Sequence, residues 1–520
     1  MPRQAPHSYL LLTGATGLLG RCLVRDLAAT GRRLAVVVRA GRDGNAAERV
    51  DDLLSDWHDV AGAAVDCPVV LQGDLAAPGL GLDAAAREWV GRNVGEVIHS
   101  AASLSFHTRQ SDGEPWRSNV EGSRQVVALC RETGIRRIHH VSSAYVCGLR
   151  TGTILETELD VGQTSGNDYE RSKIVSETEV RAADCFDIVT VHRPSIIVGD
   201  LVNGFTNTFH GFYKPLRIVQ PFVEAFASAD LPAGSLMEVL GMTGAERKNL
   251  VSVDWVSAAM TRIINDASTH GRTYHLTSDD PTPVGTLSRV FEGLVVEMTE
   301  AIRRQQAERP AARGGFDPAT LGRLFLDQMH VYRAYWRDDP RFDSSHTRQV
   351  LPDLPAPALD DASLRRLCRF AIAAGFRWPI TPRVTRAPVA RDRLVDLLGP
   401  AAYAPAPRDG FGLAVAGAGG GQWTVGVVDG VPRTLHVGLP GGDRATVRIA
   451  AAELLAVLTQ PVTGRIPTTC VEGPLAERGR AIEHFRQLVA RGQVRSSAAT
   501  TAAPLDAART AAAWAAADAR

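Results

Sequence analysis

The sequence predicts an α/β protein: a doubly wound parallel sheet, an interleaved helical region, and a small second α/β unit toward the carboxyl end. Three observations carry this expectation. Short apolar runs alternate with amphipathic stretches through the first half. From about residue 286 the pattern turns helical, and beyond about residue 395 it changes again to Gly-rich turns and short strands. At 520 residues the chain also exceeds what one core serves, because single cores stop growing near ~250–300 residues. Two or three folded units are therefore expected.

The candidate strands of the first unit are Tyr9–Leu12, Leu34–Arg39, Pro68–Asp74, Glu96–Ala101, Arg137–Ser143 and Asp187–Ser195. Between them lie helical runs such as "GLLGRCLVRDLAATG" and "NVEGSRQVVALCRETG", each stopping at a glycine suited to a left-handed C-cap. One Rossmann-type domain accounts for this half. Further on, "LGRLFLDQMHVYRAYWRDDPRFD" spaces its Leu, Phe, Met, Tyr and Trp residues at mixed three- and four-residue intervals, which predicts a helical core stripe. The Pro-rich stretch Arg377–Pro388 cannot continue a helix and marks a boundary. After it, "GQWTVGVVDG", "RTLHVGLPGG", "RATVRIAAAELLAVL" and "GPLAERGRAIEHFRQLV" predict a meander followed by helices. The last thirty residues, rich in Ala, Arg and Thr, have little to pack and predict a frayed or disordered tail.

Lys+Arg and Asp+Glu both number 57, so nothing global draws the chain to nucleic acid or an anionic membrane. Small molecules become the expected partners, with no nucleic acid among them. Cys22, Cys67, Cys130, Cys147, Cys185, Cys368 and Cys470 are scattered singly with no C-x-x-C pair, which fits reduced cytoplasmic thiols and predicts no metal site. The apolar start lacks a cationic leader, and no run approaches the ~18–20 residues that span a bilayer. A cytoplasmic protein is expected.

The chemistry begins at "LLTGATGLLG", where Gly14, Gly17 and Gly20 follow a predicted strand and open a predicted helix. Glycine there allows the tight turn and lets the backbone approach a pyrophosphate seated on the helix N-terminus. The second strand ends on Arg39, with Arg42 and Arg49 nearby, where an acidic residue would bind a ribose 2′-hydroxyl. A cation suits a 2′-phosphate instead, which favours NADP(H). In "SGNDYERSKIVSETEV", Tyr169 and Lys173 stand four apart and share a helix face. A neighbouring ammonium is expected to lower the phenol's pKa from ~10 and make Tyr169 a proton donor and acceptor. The pair follows "VSSAYVCG", where a Ser hydroxyl could meet a reacting carbonyl.

Over roughly residues 8–380 the chain resembles the extended short-chain dehydrogenase/reductase family. "TGATGLLG" matches its nucleotide loop and, with the resemblance, implies cofactor contacts at Gly14, Thr16, Gly17, Leu18 and Gly20. "GDL" implies Asp74 and Leu75 on the adenine side, "HSAAS" implies Ala101 and Ala102 beside the cofactor, and "RPSIIVG" implies Pro194 and Ile196 at the nicotinamide-side turn. Asn119 matches the family's structural Asn, and Ser143, Tyr169 and Lys173 match its catalytic set, which makes these four the expected catalytic residues. Within the family, "VVVRAGRDGNAAERV", "GDLAAPGLGL" and "NLVSVDWVSAAM" around Asp254 resemble the fatty acyl-CoA and carrier-thioester reductase branch, and put Arg39 and Arg49 at the phosphate-binding positions. "YRAYWRDDPRFDSSHTR" is similar to a stretch of the acyl reductases, but His346 stands where Asn is expected.

The domain from about 400 to 490 weakly resembles sterol-carrier-type lipid-binding domains, through "GQWTVGVVDG", "RATVRIAAAELLAVLTQ" and "VEGPLAERGRAIEHF". An unrelated appendage or dimerisation module fits those residues as well. The resemblances imply an NADP-binding reductase domain with substrate-binding insertions at 8–285, a helical substrate-binding or cap region at 286–385, a sterol-carrier-like domain at 395–490, and a disordered tail at 491–520. They imply reduction of an acyl thioester by NADPH to an aldehyde or alcohol, and a lipid ligand in the last domain. Because the chain starts at the first strand of the nucleotide fold, the thioester is expected to arrive as a CoA ester or on a separate carrier protein. The same family also contains epimerases, dehydratases and sterol or alcohol dehydrogenases, and a non-catalytic lipid carrier is the alternative from outside it.

Overall fold

The structure is a computed structural model that describes residues 9–41, 44–61, 65–108, 112–226, 242–306, 329–378, 389–441, 444–459 and 470–502. Its centre is a seven-stranded sheet of β1 (Tyr9–Thr13), β2 (Arg33–Val38), β3 (Val69–Gln72), β4 (Val94–His99), β5 (Arg137–Val141), β6 (Ile188–Pro194) and β7 (Thr273–Leu276). The order across it is β7-β6-β5-β4-β1-β2-β3, and every neighbouring pair is parallel. This is the Rossmann-type arrangement, in which the order reverses between β1 and β4 and leaves a crevice at their carboxyl ends. The six expected strands all lie in it. The seventh, "TYHL", carries too short an apolar signal to stand out and is held by pairing with β6.

Helices α1 (Leu18–Ala29), α2 (Ala46–Ala61), α3 (Ala84–Asn93), α4 (Gly122–Thr133) and α5 (Asp168–Ala182) connect the early strands. Gly134 caps α4 in the left-handed region at φ 75°, and Gly31 follows α1 at φ 79°, as their positions predict. The two faces of the sheet carry separate cores. One joins Leu10, Leu12, Cys22, Leu23, Val36 and Trp255, and the other joins Leu11, Val37, Trp89, Val97 and Leu129.

Helices α6 (Lys214–Phe226), α7 (Val253–Asn265), α8 (Val284–Gln306) and α9 (Asp361–Ala373) follow. The aromatic stretch between α8 and α9 departs from the expected helix. Residues 321–328 lie outside the described set, His330–Tyr335 form a short 3₁₀ segment, and Arg341–Phe342 pair with Thr153–Ile154 as a parallel bridge. Pro340 explains the break, because it cannot continue a helix and pushes Asp339 toward extended backbone. Most of the Pro-rich connector, residues 379–388, also lies outside the described residues.

The carboxyl-terminal unit has strands β8 (Gly410–Ala416), β9 (Gly421–Val428), β10 (Val431–Val437), β11 (Thr446–Ala450) and β12 (Cys470–Glu472), in the order β10-β9-β8-β11-β12. Helices α10 (Ala390–Leu398), α11 (Ala451–Thr459) and α12 (Leu475–Ala502) cover it, around a core that includes Phe411, Leu413, Trp423, Leu454, Phe485 and Leu488. Helix α12 continues through Ala502 into the stretch expected to be a tail. Arg491 donates to the Pro432 carbonyl, Gln493 donates to the Val457 carbonyl at 3.1 Å, and the Ala-rich composition favours helix. Residues 503–520 lie outside the described set.

This unit rests on the amino-terminal ends of the sheet strands. Tyr9, the first residue of β1, donates its hydroxyl to Gln422 Oε1 at 2.9 Å and accepts from the Leu439 amide at 2.8 Å. Gln422 in turn donates to the Cys67 carbonyl at 3.1 Å, and Trp89 Nε1 donates to the Val437 carbonyl at 2.9 Å. Arg391 pairs with Asp51, and Arg448 with Asp66. Among the described residues no helix is long and apolar enough to cross a membrane.

Candidate active site

The glycine loop leaves β1 at its carboxyl end. Gly14 has φ 78°, and a Cβ there would lie 2.7 Å from the Ala101 amide nitrogen. A Cβ on Gly20 would lie 2.0 Å from the Gly14 carbonyl oxygen. Both positions are closed to any side chain, which packs the loop against the segment leaving β4. Gly17 is different: it is exposed, its nearest neighbour to a Cβ is 3.3 Å away, and it caps α1. The first amides of α1, from Leu18 on, have no partner within their own helix. The loop therefore fits a pyrophosphate by its backbone, and Gly17 is where a ligand needs the approach.

At the end of β2 the two expected arginines come together. Arg49, on α2, donates from Nη1 to the Arg39 carbonyl at 2.9 Å and from Nη2 to Thr16 Oγ1 at 3.2 Å. Burial and the nearby Arg39 charge hold the Arg49 guanidinium below its usual pKa. Two cations thus meet beside the phosphate loop, with Asp52 the acidic group that acts on Arg49. Asn45 and Glu48 form a capping box that starts α2 here, with Asn45 Oδ1 accepting from the Glu48 amide at 3.0 Å and Glu48 Oε2 from the Asn45 amide at 2.8 Å. Arg42 lies outside the described residues.

Asp74 follows β3 with its carboxylate half exposed, accepting from the Ala76 amide at 3.1 Å. Leu75 packs against Gly122, where a Cβ would come within 2.7 Å of Leu75 Cδ2. Ala101 donates its amide to Thr13 Oγ1 at 3.3 Å, and Ala102 follows exposed at the crevice. Pro194 ends β6, and Ile196, two residues on, donates its amide to the Asn249 carbonyl at 3.1 Å.

Ser143 follows β5 and caps a 3₁₀ turn, Ala144–Cys147, by accepting from the Tyr145 amide at 3.2 Å. Tyr169 stands in the first turn of α5, where Asn167 caps the helix by accepting from the Glu170 amide at 3.0 Å. The Ser143 hydroxyl lies near enough to the Tyr169 phenol to favour its ionised form. Lys173 is buried one turn later, and its Nζ donates to the Val141 carbonyl at the end of β5 at 3.0 Å. The expected lowering of the Tyr169 pKa does not occur. Burial pushes the phenol up to about 12 against the Ser143 hydroxyl, and Lys173 is not among the groups acting on it. Lys173 instead pays for its own burial, which brings it down to about 8 despite the Glu177 carboxylate.

Asn119 is brought to the site but does not touch Tyr169 or Lys173. Its amide accepts from the Ser103 amide at 2.7 Å and donates to the Ser103 carbonyl at 3.1 Å and Ser172 Oγ at 2.8 Å. Those bonds occupy it, so it positions the segment after β4 against α5 instead of meeting substrate. Asp254 accepts from the Leu201 amide at 3.1 Å, and His346 lies away from the site, against Glu156 and the Thr273 carbonyl.

Several groups at the site belong to no sequence motif. Beneath the crevice runs a buried chain from Thr13 Oγ1 to His99 Nδ1 at 2.8 Å, and from His99 Nε2 to Ser123 Oγ at 2.9 Å. It continues from Ser123 to Ser176 Oγ at 2.7 Å. Burial, then the Lys173 charge, brings His99 down to about 3 and keeps it neutral. On α5, Glu177 continues the face of Tyr169 and Lys173 and clamps the fully buried Arg193 at 2.7 and 3.0 Å. The four-residue spacing of 169, 173 and 177 was the available signal. Glu96, His139 and His270 form a cluster of metal-ligating types, but Arg137 and Arg32 already face Glu96 at 3.3 and 3.7 Å.

The family described as male sterility protein matches residues 12–260. That stretch takes in the glycine loop, both arginines, Ser143, Tyr169 and Lys173. The match supports an NAD(P)-dependent oxidoreductase and agrees with the resemblance to the extended short-chain dehydrogenase/reductase family. Among similar proteins, a fatty acyl-CoA reductase of Drosophila melanogaster, wat, is 25% identical over 40% of this chain and 47% of its own length. A glycine betaine reductase of Emericella nidulans is 25% identical over 78% of this chain and 32% of its own. The chain thus spans half or less of the length of these relatives. The terminal R domain of the myxalamid biosynthetic pathway shares the fold at a TM-score of 0.56 and 21% identity, over 72% of this chain and 93% of that one.

Proposed function

We propose that this protein reduces an acyl thioester with NADPH, releasing the thiol and leaving an aldehyde. The observation that carries the reading is the placing of Ser143, after β5, and Tyr169, in the first turn of α5, beside one another and across from the glycine loop on the same crevice. The reductase relatives support the reaction class, and the Arg39 and Arg49 pair at Thr16 supports a 2′-phosphate on the cofactor.

When bound, the cofactor supplies a hydride to the carbonyl carbon. The chain does the rest. Ser143 and Tyr169 present hydroxyl hydrogens to the carbonyl oxygen as its charge develops. Tyr169, held near a pKa of about 12, keeps its proton across neutral pH and is suited to giving one. Lys173 spends one N–H on Val141 and has two left for the hydroxyls of a ribose. Collapse of the tetrahedral adduct expels a thiolate, whose basicity, near that of an ordinary thiol at ~8.5, needs no buried acid to leave. The thioester arrives as a CoA ester or on a carrier protein, and further reduction of the aldehyde gives an alcohol. The C-terminal unit serves as a support for the back of the sheet and not as a carrier serving this crevice.

Purified protein mixed with NADPH and a panel of acyl-CoAs and carrier-bound acyl groups tests the proposal. Cofactor oxidation matched by free thiol and aldehyde is expected. Absence of both with every thioester would remove it.

A further inference from the structure

The C-terminal unit also grips α2, the helix that carries Arg49. The buried Asp51 carboxylate on that helix accepts from the Gly419 amide at 2.8 Å and pairs with the Arg391 guanidinium. Arg391 lies in the first turn of α10, and its own amide donates to the Gly419 carbonyl at 3.0 Å. The turn between β8 and β9 that supplies Gly419 has little freedom. Gly419 has φ 76°, and a Cβ there would come within 2.5 Å of Val389 Cβ. The end of β8 holds the chain beyond α2 as well, since the Gly417 amide donates to the Val65 carbonyl at 2.9 Å and Ala416 bridges Asp66.

Arg49 and Asp51 stand two residues apart on α2, which places them about 200° apart around its axis and nearly opposite one another. One face therefore meets the C-terminal unit while the other reaches Thr16 and the Arg39 carbonyl. Val50, Leu53 and Leu54 seat α2 on the sheet core. Apolar burial is non-directional, so the roll of the helix on that seat is fixed by its polar bonds. Trp57 Nε1 donates to the Arg21 carbonyl at 3.2 Å, but Trp57 stands in the later half of α2. In the first half, the Ala46 amide donates to Gln72 Oε1 at 3.4 Å, and Asp51 carries the shorter bond and the ion pair.

We infer that the Asp51–Arg391 clamp determines cofactor specificity: held from the C-terminal unit, α2 presents Arg49 to the 2′-phosphate of NADP(H). This rests on the reading of Arg39 and Arg49 as a 2′-phosphate site. Asp51 and Arg391 are positioning residues that act through Arg49, and NADH, which lacks that phosphate, does not feel them. The route runs through α2 and not through β1, which meets the C-terminal unit at the end away from the crevice.

The test measures dissociation constants of NADPH and NADH by nicotinamide fluorescence in the full chain, for the wild type, Asp51→Asn, Arg49→Ala and the double variant. Asp51→Asn keeps the shape and the bond from Gly419 and removes the charge that holds Arg391. It is expected to weaken NADPH binding about fivefold, part of the roughly 10- to 100-fold that a charge-assisted bond from Arg49 supplies, and to leave NADH within about twofold. In the Arg49→Ala background the same substitution is expected to change neither, because both act through one group. If a melting curve shows that Asp51→Asn does not fold, Arg391→Lys carries the same comparison, since it keeps the charge and loses the planar fork. Equal weakening of both cofactors, an unchanged preference in a folded variant, or a preference that still falls in the absence of Arg49 overturns the clamp. A wild type that does not prefer NADPH, or a preference unmoved by Arg49→Ala, overturns the 2′-phosphate reading, and the clamp with it.

Discussion

Tyr169 and Lys173 share a helix face, yet each is governed more by its surroundings than by the other. With the phenol up at about 12 and the ammonium down at about 8, the group that titrates near the working range is the lysine. Reduction is therefore expected to fall off on the alkaline side near pH 8, as Lys173 loses the charge proposed to hold the cofactor. A pH profile that is flat to pH 10 would reassign that role. Tyr169→Phe removes the proposed acid and keeps the ring, so kcat is expected to fall by ~10²–10⁴ with NADPH binding retained. At the phosphate end, Arg49→Ala deletes a charge-assisted hydrogen-bond donor worth about 1.5–3 kcal/mol. The KM for NADPH is expected to rise by about 10- to 100-fold while that for NADH stays put. Equal losses with both cofactors would mean Arg49 acts by holding Thr16 alone. The placing of these residues along one crevice was legible because each stands at a fixed offset from a strand end. The direction of the Tyr169 shift was not, because burial is a property of the packed site and leaves no mark on the spacing.

Strands β1 to β6 announced themselves by apolar runs, but β4, β5, β6 and β7 also carry buried histidines that no hydrophobic pattern predicts. Burial holds His99 at about 3 and His275 at about 4, and places His140 and His192 well below 6.5. The sign follows from linkage. These groups are neutral in both states above pH ~6.5 and cost nothing there. Below it the unfolded chain takes up protons that the folded sheet refuses, so stability falls until the folded pKa is passed. At about 1.4 kcal/mol per pH unit, His275 alone forfeits on the order of 3 kcal/mol. The melting temperature is expected to hold steady from pH 8 to 7 and drop progressively between pH 6.5 and 4.5, less steeply in His275→Gln. A Tm independent of pH across that window would contradict the buried, neutral state. The backbone of residues 333–342 was illegible for a related reason. Its aromatic spacing imitates a helix, while Pro340 and the capture of Asp339 by Tyr145 and Lys248 decide the backbone through contacts 194 and 91 residues away in sequence.

At the scale of the whole chain, the catalytic crevice and the C-terminal unit occupy opposite ends of the same strands. The five residues of β1 run from Tyr9, under the C-terminal sheet, to Thr13, beside Gly14 and the crevice. Composition predicts a boundary between the two units but could not show that Tyr9, Gln422 and Trp89 would be buried where they meet, at 2%, 6% and 2% exposure. Tyr9→Phe preserves that packing and deletes only the hydroxyl. It leaves Gln422 without its donor and the Leu439 amide without its acceptor, and each buried orphan costs about 1–3 kcal/mol. Denaturant unfolding of Tyr9→Phe is expected to lose roughly 2–6 kcal/mol, the sum of two such orphans, in one cooperative transition as in the wild type. Its KM values for NADPH and thioester are expected to be unchanged, because the crevice is at the far end of the strand. A separate early transition would show that the units unfold independently. A raised KM at full stability would show instead that docking reaches the active site through β1, and the support role would give way to a regulatory one.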